Sequence, residues 1–128
     1  MTPLTLSILP STFTIHRLPT GTSLPGSLYR SSFLSITQTH DELSIVCDSD
    51  IALRSDAQEK GWSCLQVDGT LDFGLTGILA DLSGTLAEAG ISLFAVSTYD
   101  TDYLLVKREI LEDAADALRR AGHTVIGA

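Results

Sequence analysis

Hydrophobic and polar positions alternate in short runs through the first part of the chain and then give way to helical spacing. Leu4, Leu6 and Ile8 alternate with Thr5 and Ser7, the period of a half-buried strand. Pro10-Ser11-Thr12 interrupts the run, and Phe13 to Leu18 alternates again, so the two strands are expected to form a hairpin. From Pro19 to Ser32 the chain is rich in Pro, Gly, Ser and Thr, which predicts a loop with one helical turn near Ser27–Arg30. Strands are expected at Phe33–Thr37 and Leu43–Cys47 around the polar turn Gln38–Glu42. Asp48-Ser49-Asp50 offers capping side chains for a short helix to about Asp56. Ala57–Gly61 is polar and ends in glycine, and is the best boundary in the chain.

The second half is cleaner. Trp62–Val67 predicts a strand, and Leu75, Ile78, Leu79, Leu82 and Leu86 recur at helical spacing, giving a helix over about Gly74–Ala89. Asp72 is placed to cap it, and Gly90 to end it in a left-handed conformation. Strands follow at Ile91–Ser97 and Asp102–Lys107. A second helix carries Glu109, Glu112 and Asp113 in its first turn and Arg119 and Arg120 in its last, matching the helix dipole. Its apolar face is Leu111, Ala114, Ala115, Leu118 and Ala121, Gly122 stops it, and His123–Ile126 closes as a strand. Strand, helix, strand, strand, helix, strand is the split βαβ order of a ferredoxin-like module, an antiparallel sheet with both helices on one face. The first half repeats the strand spacing without a clear first helix. The expected architecture is α+β, two tandem βαββαβ modules: a degenerate one over 1–60 and a complete one over 61–128.

Composition sets limits on function. A chain of 128 residues with 44% hydrophobic and 19% charged residues has the balance of a folded protein. Its formal charge of −8 disfavours nucleic acid, because eight Lys and Arg stand against sixteen carboxylates. The acidity makes a cationic or zwitterionic ligand easier to attract, although by itself it serves solubility. Cys47 and Cys64 fall in apolar strand runs with no zinc or CxxC spacing, which predicts reduced, buried thiols. The start, MTPLTLSILP, has no basic flank, and no run is long enough to span a membrane, so a cytoplasmic protein is expected.

The polar turns hold the candidate chemistry. Val67–Phe73 leads from a strand into a helix start, where backbone N–H groups from about Phe73 to Ile78 can bind a carboxylate or phosphate. Gly74 and Gly77 allow close approach, and Asp72 and Asp102 can accept hydrogen bonds from an ammonium group. Together they suit both ends of an amino acid. Taken singly, each has a plain structural role open to it: Gly69 in a turn, Asp72 as a cap. Catalysis has little support, since His16, His40 and His123 are dispersed and no nucleophile elbow, Cys-His signature or Walker lysine is present. No metal site and no cofactor are expected.

The run from Phe73 to Val106 resembles an ACT domain, the small regulatory module that binds amino acids. More narrowly it resembles the second module of the tandem-ACT proteins that include eukaryotic cytosolic arginine sensors. Thr76-Gly77-Ile78 and the run Ser97–Asp102 carry this likeness, which covers Trp62–Ile126 well and the first half loosely. The resemblance implies a ligand held between two ACT modules by Asp72, Phe73, Gly77 and Ile78 on one side. On the other side it implies Thr98, Tyr99 and Asp102, with Asp102 the side-chain partner of the ligand amine. Leu75 stands where a second acidic residue would help select a guanidinium. Proteins of that subgroup contain four modules and this chain has room for two, which implies a homodimer that restores four. The expectation is a non-catalytic regulatory protein that binds a small amino acid and signals to a protein partner of unspecified identity. The alternative is a pairing module that dimerises through sheet edges or helices and holds no ligand.

Overall fold

The computed structural model describes residues 3–69 and 77–127. It divides into two compact units: Met1–Pro10 with Ser63–Ala128, and Ser11–Trp62.

In the first of these, strands are β1 (Thr5–Ile8), the end of β5 (Ala57–Val67), β6 (Phe94–Ser97), β7 (Asp102–Lys107) and β8 (Thr124–Ile126). Helices α1 (Ile78–Glu88) and α2 (Leu111–Arg120) complete it. From β5 onward the order is strand, helix, strand, strand, helix, strand, the α+β ferredoxin-like arrangement read from the sequence. β7 pairs with both β5 and β6. One feature departs from that arrangement. β1 lies between β5 and β8, antiparallel to β5 with Leu6 opposite Val67, and parallel to β8 with Leu6 opposite Val125. The sheet is therefore mixed rather than wholly antiparallel, and the segment up to Pro10 belongs with the C-terminal residues.

One core explains these contacts. Leu6, Leu65, Val67, Leu104 and Val106 from the strands, Leu82 and Leu86 from α1, and Ala114, Ala115 and Leu118 from α2 pack as a single cluster. Of the predicted apolar face of the second helix, Ala114, Ala115 and Leu118 are buried and Leu111 packs against the core, whereas Ala121 is exposed and Ala117 is buried in its place. Gly90 and Gly122 end the helices with φ of 76° and 101°, values that only glycine adopts without strain.

The other unit is an antiparallel sheet in the order β3 (Ser35–Gln38), β4 (Leu43–Asp48), β2 (Phe13–Leu18), then the beginning of β5. Leu18, Leu28, Leu43, Ile45 and Cys47 form its small core, with Leu24, Leu34, Ile51 and Leu53 against them. The helical turn expected near Ser27–Arg30 is a short 3-10 helix over Gly26–Arg30.

Three sequence expectations are corrected here. β1 and β2 do not form a hairpin; each pairs with β5 instead, and Leu9 N–H carries the β1 ladder on to the Cys64 carbonyl at 2.9 Å. The short helix over Asp48–Asp56 is absent. Asp48 accepts from the Ser32 N–H at 3.0 Å and hydroxyl at 2.7 Å, so its side chain is not available as a cap. Ile51 and Leu53 reach the core at strand-like spacing. The polar boundary Ala57–Gly61 is strand, because β2 supplies its hydrogen bonds whatever its side chains. Gly61, at φ 80°, marks a bulge where the register with Phe13 and Ile15 shifts.

Two hairpins repeat one design. β3–β4 and β6–β7 each join a four-residue strand to a six-residue strand, around Thr39–Glu42 and Thr98–Thr101. The N–H of each threonine donates to the carbonyl of the last turn residue at 2.9 Å. Its hydroxyl in turn accepts from that residue's N–H, at 3.2 Å and 3.3 Å.

Candidate functional site

The candidate site lies at one end of the unit built around α1 and α2. β5 ends there, and Asp68 follows, its N–H on the Thr5 carbonyl at 2.8 Å and its carboxylate accepting from the Ser7 hydroxyl at 2.8 Å. The β6–β7 turn is fixed to the same end by Thr101, a buried residue whose hydroxyl donates to the Val67 carbonyl at 2.7 Å. Chain direction brings the start of α1 to this end as well, since α1 follows β5 and β6 leads up to the turn.

Of the residues expected to bind ligand, Asp72 and Phe73 lie outside the described residues. So do Gly74 and Leu75, and so does the capping role assigned to Asp72. Gly77 occupies the N-cap position of α1 in the left-handed conformation (φ 83°) and, being glycine, has no side chain of its own to close the helix start. The first intrahelical bond is Asp81 N–H to the Gly77 carbonyl at 2.8 Å. By helix geometry the N–H groups of Ile78, Leu79 and Ala80 therefore have no intrahelical acceptor and suit an anionic group. Conformation is what makes residue 77 a glycine, since an added Cβ meets nothing within 4 Å among the described residues. Ile78 turns its side chain against the core, leaving its backbone as the useful part.

Thr98, Tyr99 and Asp102 are brought together in one turn. Asp102 faces Ser97 across the hairpin and accepts its hydroxyl proton at 2.6 Å, which fixes the half-buried carboxylate in one orientation. Tyr99 is 80% exposed at the tip. Ser97 and Thr101 were not singled out from sequence. A Ser or Thr beside each end of a polar turn is the available signal, since such hydroxyls bond local backbone or carboxylates. Thr101→Val keeps the shape and removes the hydroxyl. It is expected to lower stability by about 1–2 kcal/mol, measured by urea denaturation.

Buried His123, just before β8, accepts from the Leu4 N–H through Nδ1 at 3.1 Å, and its Nε2 lies 3.5 Å from the Asp81 carboxylate. Cys47 and Cys64 are free and buried. Burial, with Asp48 and Asp50 nearby, raises the Cys47 thiol to about 11, and burial alone raises Cys64 to about 12. Neither forms a thiolate at neutral pH. Among the described residues no three His, Cys, Asp or Glu side chains gather as a metal site, and no helix is long and apolar enough to cross a membrane.

A family model of the ACT domain matches residues 58–120, and a separate model of an N-terminal domain matches 11–52. The chain is 30% identical over 121 residues to "Cytosolic arginine sensor for mTORC1 subunit 1" of Pongo abelii, a match covering 84% of this chain and 36% of the sensor. The human protein of the same name is 31% identical over 98 residues, 70% of this chain and 30% of its own. The chain thus spans about a third of the length of these relatives. Among solved structures, a protein of Agrobacterium tumefaciens is 39% identical with a TM-score of 0.90, covering 98% of this chain and 94% of its own. The regulatory subunit of aspartate kinase from Thermus thermophilus superposes with a TM-score of 0.64 at 10% identity, over 94% of this chain and 99% of that one, a likeness of fold. With its βαββαβ order, its Gly77 helix start and its Ser97–Asp102 turn, the chain belongs to the ACT-domain family and resembles the cytosolic arginine sensors.

Proposed function

We propose that this chain is a non-catalytic regulatory protein that binds a small amino acid between two ACT modules. The observation that carries the reading is the β6–β7 turn: an oriented carboxylate, Asp102, on a hairpin tied by Thr101 to the end of β5 that leads toward α1. The two ends of an amino acid need opposite partners. Asp102 suits the ammonium, and the N–H groups at the start of α1 suit the carboxylate. Asp72 and Phe73 belong to the same proposed site by resemblance. The relatives' names, an arginine sensor and a regulatory subunit of a kinase, support regulation rather than turnover.

One chain supplies a complete module over 61–128 and a degenerate one over 1–60, with β1 lent to the complete module. A homodimer would set two complete modules together and cover Tyr99, so this reading includes a ligand site shared between copies, in the cytoplasm, and signalling to a protein partner.

A thermal-shift screen of the purified chain against the common amino acids at millimolar concentration tests the proposal. A ligand that binds only the folded state at 100 times its Kd adds about 2.7 kcal/mol, enough for a rise in Tm of several degrees. A selective, saturable rise for one amino acid class is expected. A flat screen would reject amino-acid binding, and dimerisation by size exclusion would then assign the chain as a pairing module.

A further inference from the structure

Backbone geometry fixes His123 before its side chain comes into play. Gly122 ends α2 at φ 101°, and the His123 N–H closes that end by donating to the Leu118 carbonyl at 3.1 Å. The next residue begins β8, with the Thr124 N–H on the Leu4 carbonyl at 2.9 Å, while the Leu4 N–H donates to Nδ1 of His123 at 3.1 Å. Leu4 is thus held through both of its backbone groups. The imidazole that takes part in this closure is buried, its side chain 2% exposed.

That closure decides the tautomer. A ring nitrogen that accepts from an N–H cannot itself carry a proton, so the proton sits on Nε2. Among the described residues this buried Nε2–H makes no hydrogen bond. The Asp81 carboxylate lies 3.5 Å from it, on a side chain that is 41% exposed. Buried donors are nearly always paired, so one left open needs a reason. A shift of the carboxylate by about 0.6 Å would complete a charge-assisted bond, and the two groups attract at the longer distance as well.

Asp81 stands in the first turn of α1, where its own N–H makes the first intrahelical bond, to the Gly77 carbonyl. Helical side chains lean toward the N-terminus of their helix. The Asp81 carboxylate therefore leans toward the N–H groups of Ile78, Leu79 and Ala80, the same donors that the amino-acid site offers to a ligand carboxylate. The helix dipole draws any carboxylate of the first turn to those donors. Asp81 is thus a rival to the ligand, carried by the chain itself. The ring N–H of His123 gives it another partner.

We propose that His123 is a positioning residue for the ligand site: its Nε2–H holds the Asp81 carboxylate off the N–H groups at the start of α1 and leaves them to the ligand. This inference rests on the amino-acid site proposed above and adds to it a residue that acts through Asp81. Without the ring donor, Asp81 folds back as a cap and blocks the helix start.

The test is amide hydrogen exchange of the full chain without ligand, read by NMR at Ile78, Leu79 and Ala80. His123→Asn keeps an acceptor for the Leu4 N–H but is too short to reach Asp81. It should slow exchange at those amides by about fivefold, the effect of a helix cap, whereas damage to the fold would speed it. Adding Asp81→Ala to His123→Asn should return exchange to that of the unaltered chain. His123→Gln, whose amide can stand in for Nε2–H, should exchange as the unaltered chain does. Titration with L-alanine, L-leucine and L-arginine should follow the same order. The tightest of the three is expected to bind about fivefold more weakly to His123→Asn and to recover in the double variant. In the unaltered chain the nitrogen NMR spectrum of the ring should place its proton on Nε2, a reading that needs no variant. A proton on Nδ1, exchange that is unchanged or faster in His123→Asn, or slowing that persists in the double variant would overturn the proposal. If none of the three amino acids binds, exchange still decides whether His123 restrains Asp81, and the amino-acid site fails by itself.

Discussion

Leu6→Ala should destabilise the C-terminal unit by about 3 kcal/mol, within the range for a fully buried leucine truncated in a packed core. Leu6 is 0% exposed and lies in the cluster that joins both helices to the sheet. Its strand has neighbours on both sides, so the cavity left by the side chain cannot be closed by an edge strand shifting outward. Backbone bonds hold β1 along its length: Thr124 N–H to the Leu4 carbonyl at 2.9 Å, and Asp68 N–H to the Thr5 carbonyl at 2.8 Å. A residue in the first ten would then control the unfolding of a module that begins near residue 60. In a unit of this size the corresponding fall in Tm is on the order of 10–20 °C. Thr5→Ala, at an exposed position of the same strand, should change stability by less than about 0.5 kcal/mol. Calorimetry or urea denaturation of both variants measures the contrast. A Leu6→Ala cost below about 1 kcal/mol would mean that β1 is an ornament on the sheet and not part of its core.

The place of β1 marks the limit of what local pattern reveals. Alternation at Leu4, Leu6 and Ile8 reports a half-buried strand and nothing about its neighbours, so the nearest strand in sequence was the natural partner. A long β5 offers a different one, and its polar beginning hid that length: Ala57–Lys60 look like a linker because all four are exposed. Period signals served well where one face is strongly apolar, as in the second helix, where Ala114, Ala115 and Leu118 are buried as expected and only Ala117 takes the place of Ala121. They failed where a side chain spends its hydrogen bonds elsewhere, as Asp48 does on Ser32. At the candidate site, Asp102 is proposed from the carboxylate chemistry of a polar turn, and Thr98 and Tyr99 only through family resemblance, since nothing in their spacing distinguishes them from an ordinary turn. The hydroxyls that organise them, Ser97 and Thr101, depend on cross-strand register and on contact with Val67, neither of which is local in sequence.

Asp102→Ala should weaken amino-acid binding by roughly tenfold to a hundredfold, the loss of one charge-assisted hydrogen bond of about 1.5–3 kcal/mol. The fold should survive, because Asp102 is only half-buried and its described partner is an exposed Ser97 hydroxyl. A stability change under about 1 kcal/mol alongside a large binding loss is therefore the expected pair of results. Two further variants divide the effect. Asp102→Asn keeps the shape and one acceptor oxygen but removes the charge, so a loss close to that of the alanine variant would assign the effect to the ammonium–carboxylate pairing. Ser97→Ala leaves the charge but releases the carboxylate from its 2.6 Å bond, and should cost only a few-fold as the side chain regains rotamer freedom. Isothermal titration of the amino acid found by the thermal-shift screen, on all three variants, gives the ranking directly. Normal affinity in Asp102→Ala would remove the β6–β7 turn from the site, and the start of α1 would have to hold the ligand with residues other than this one.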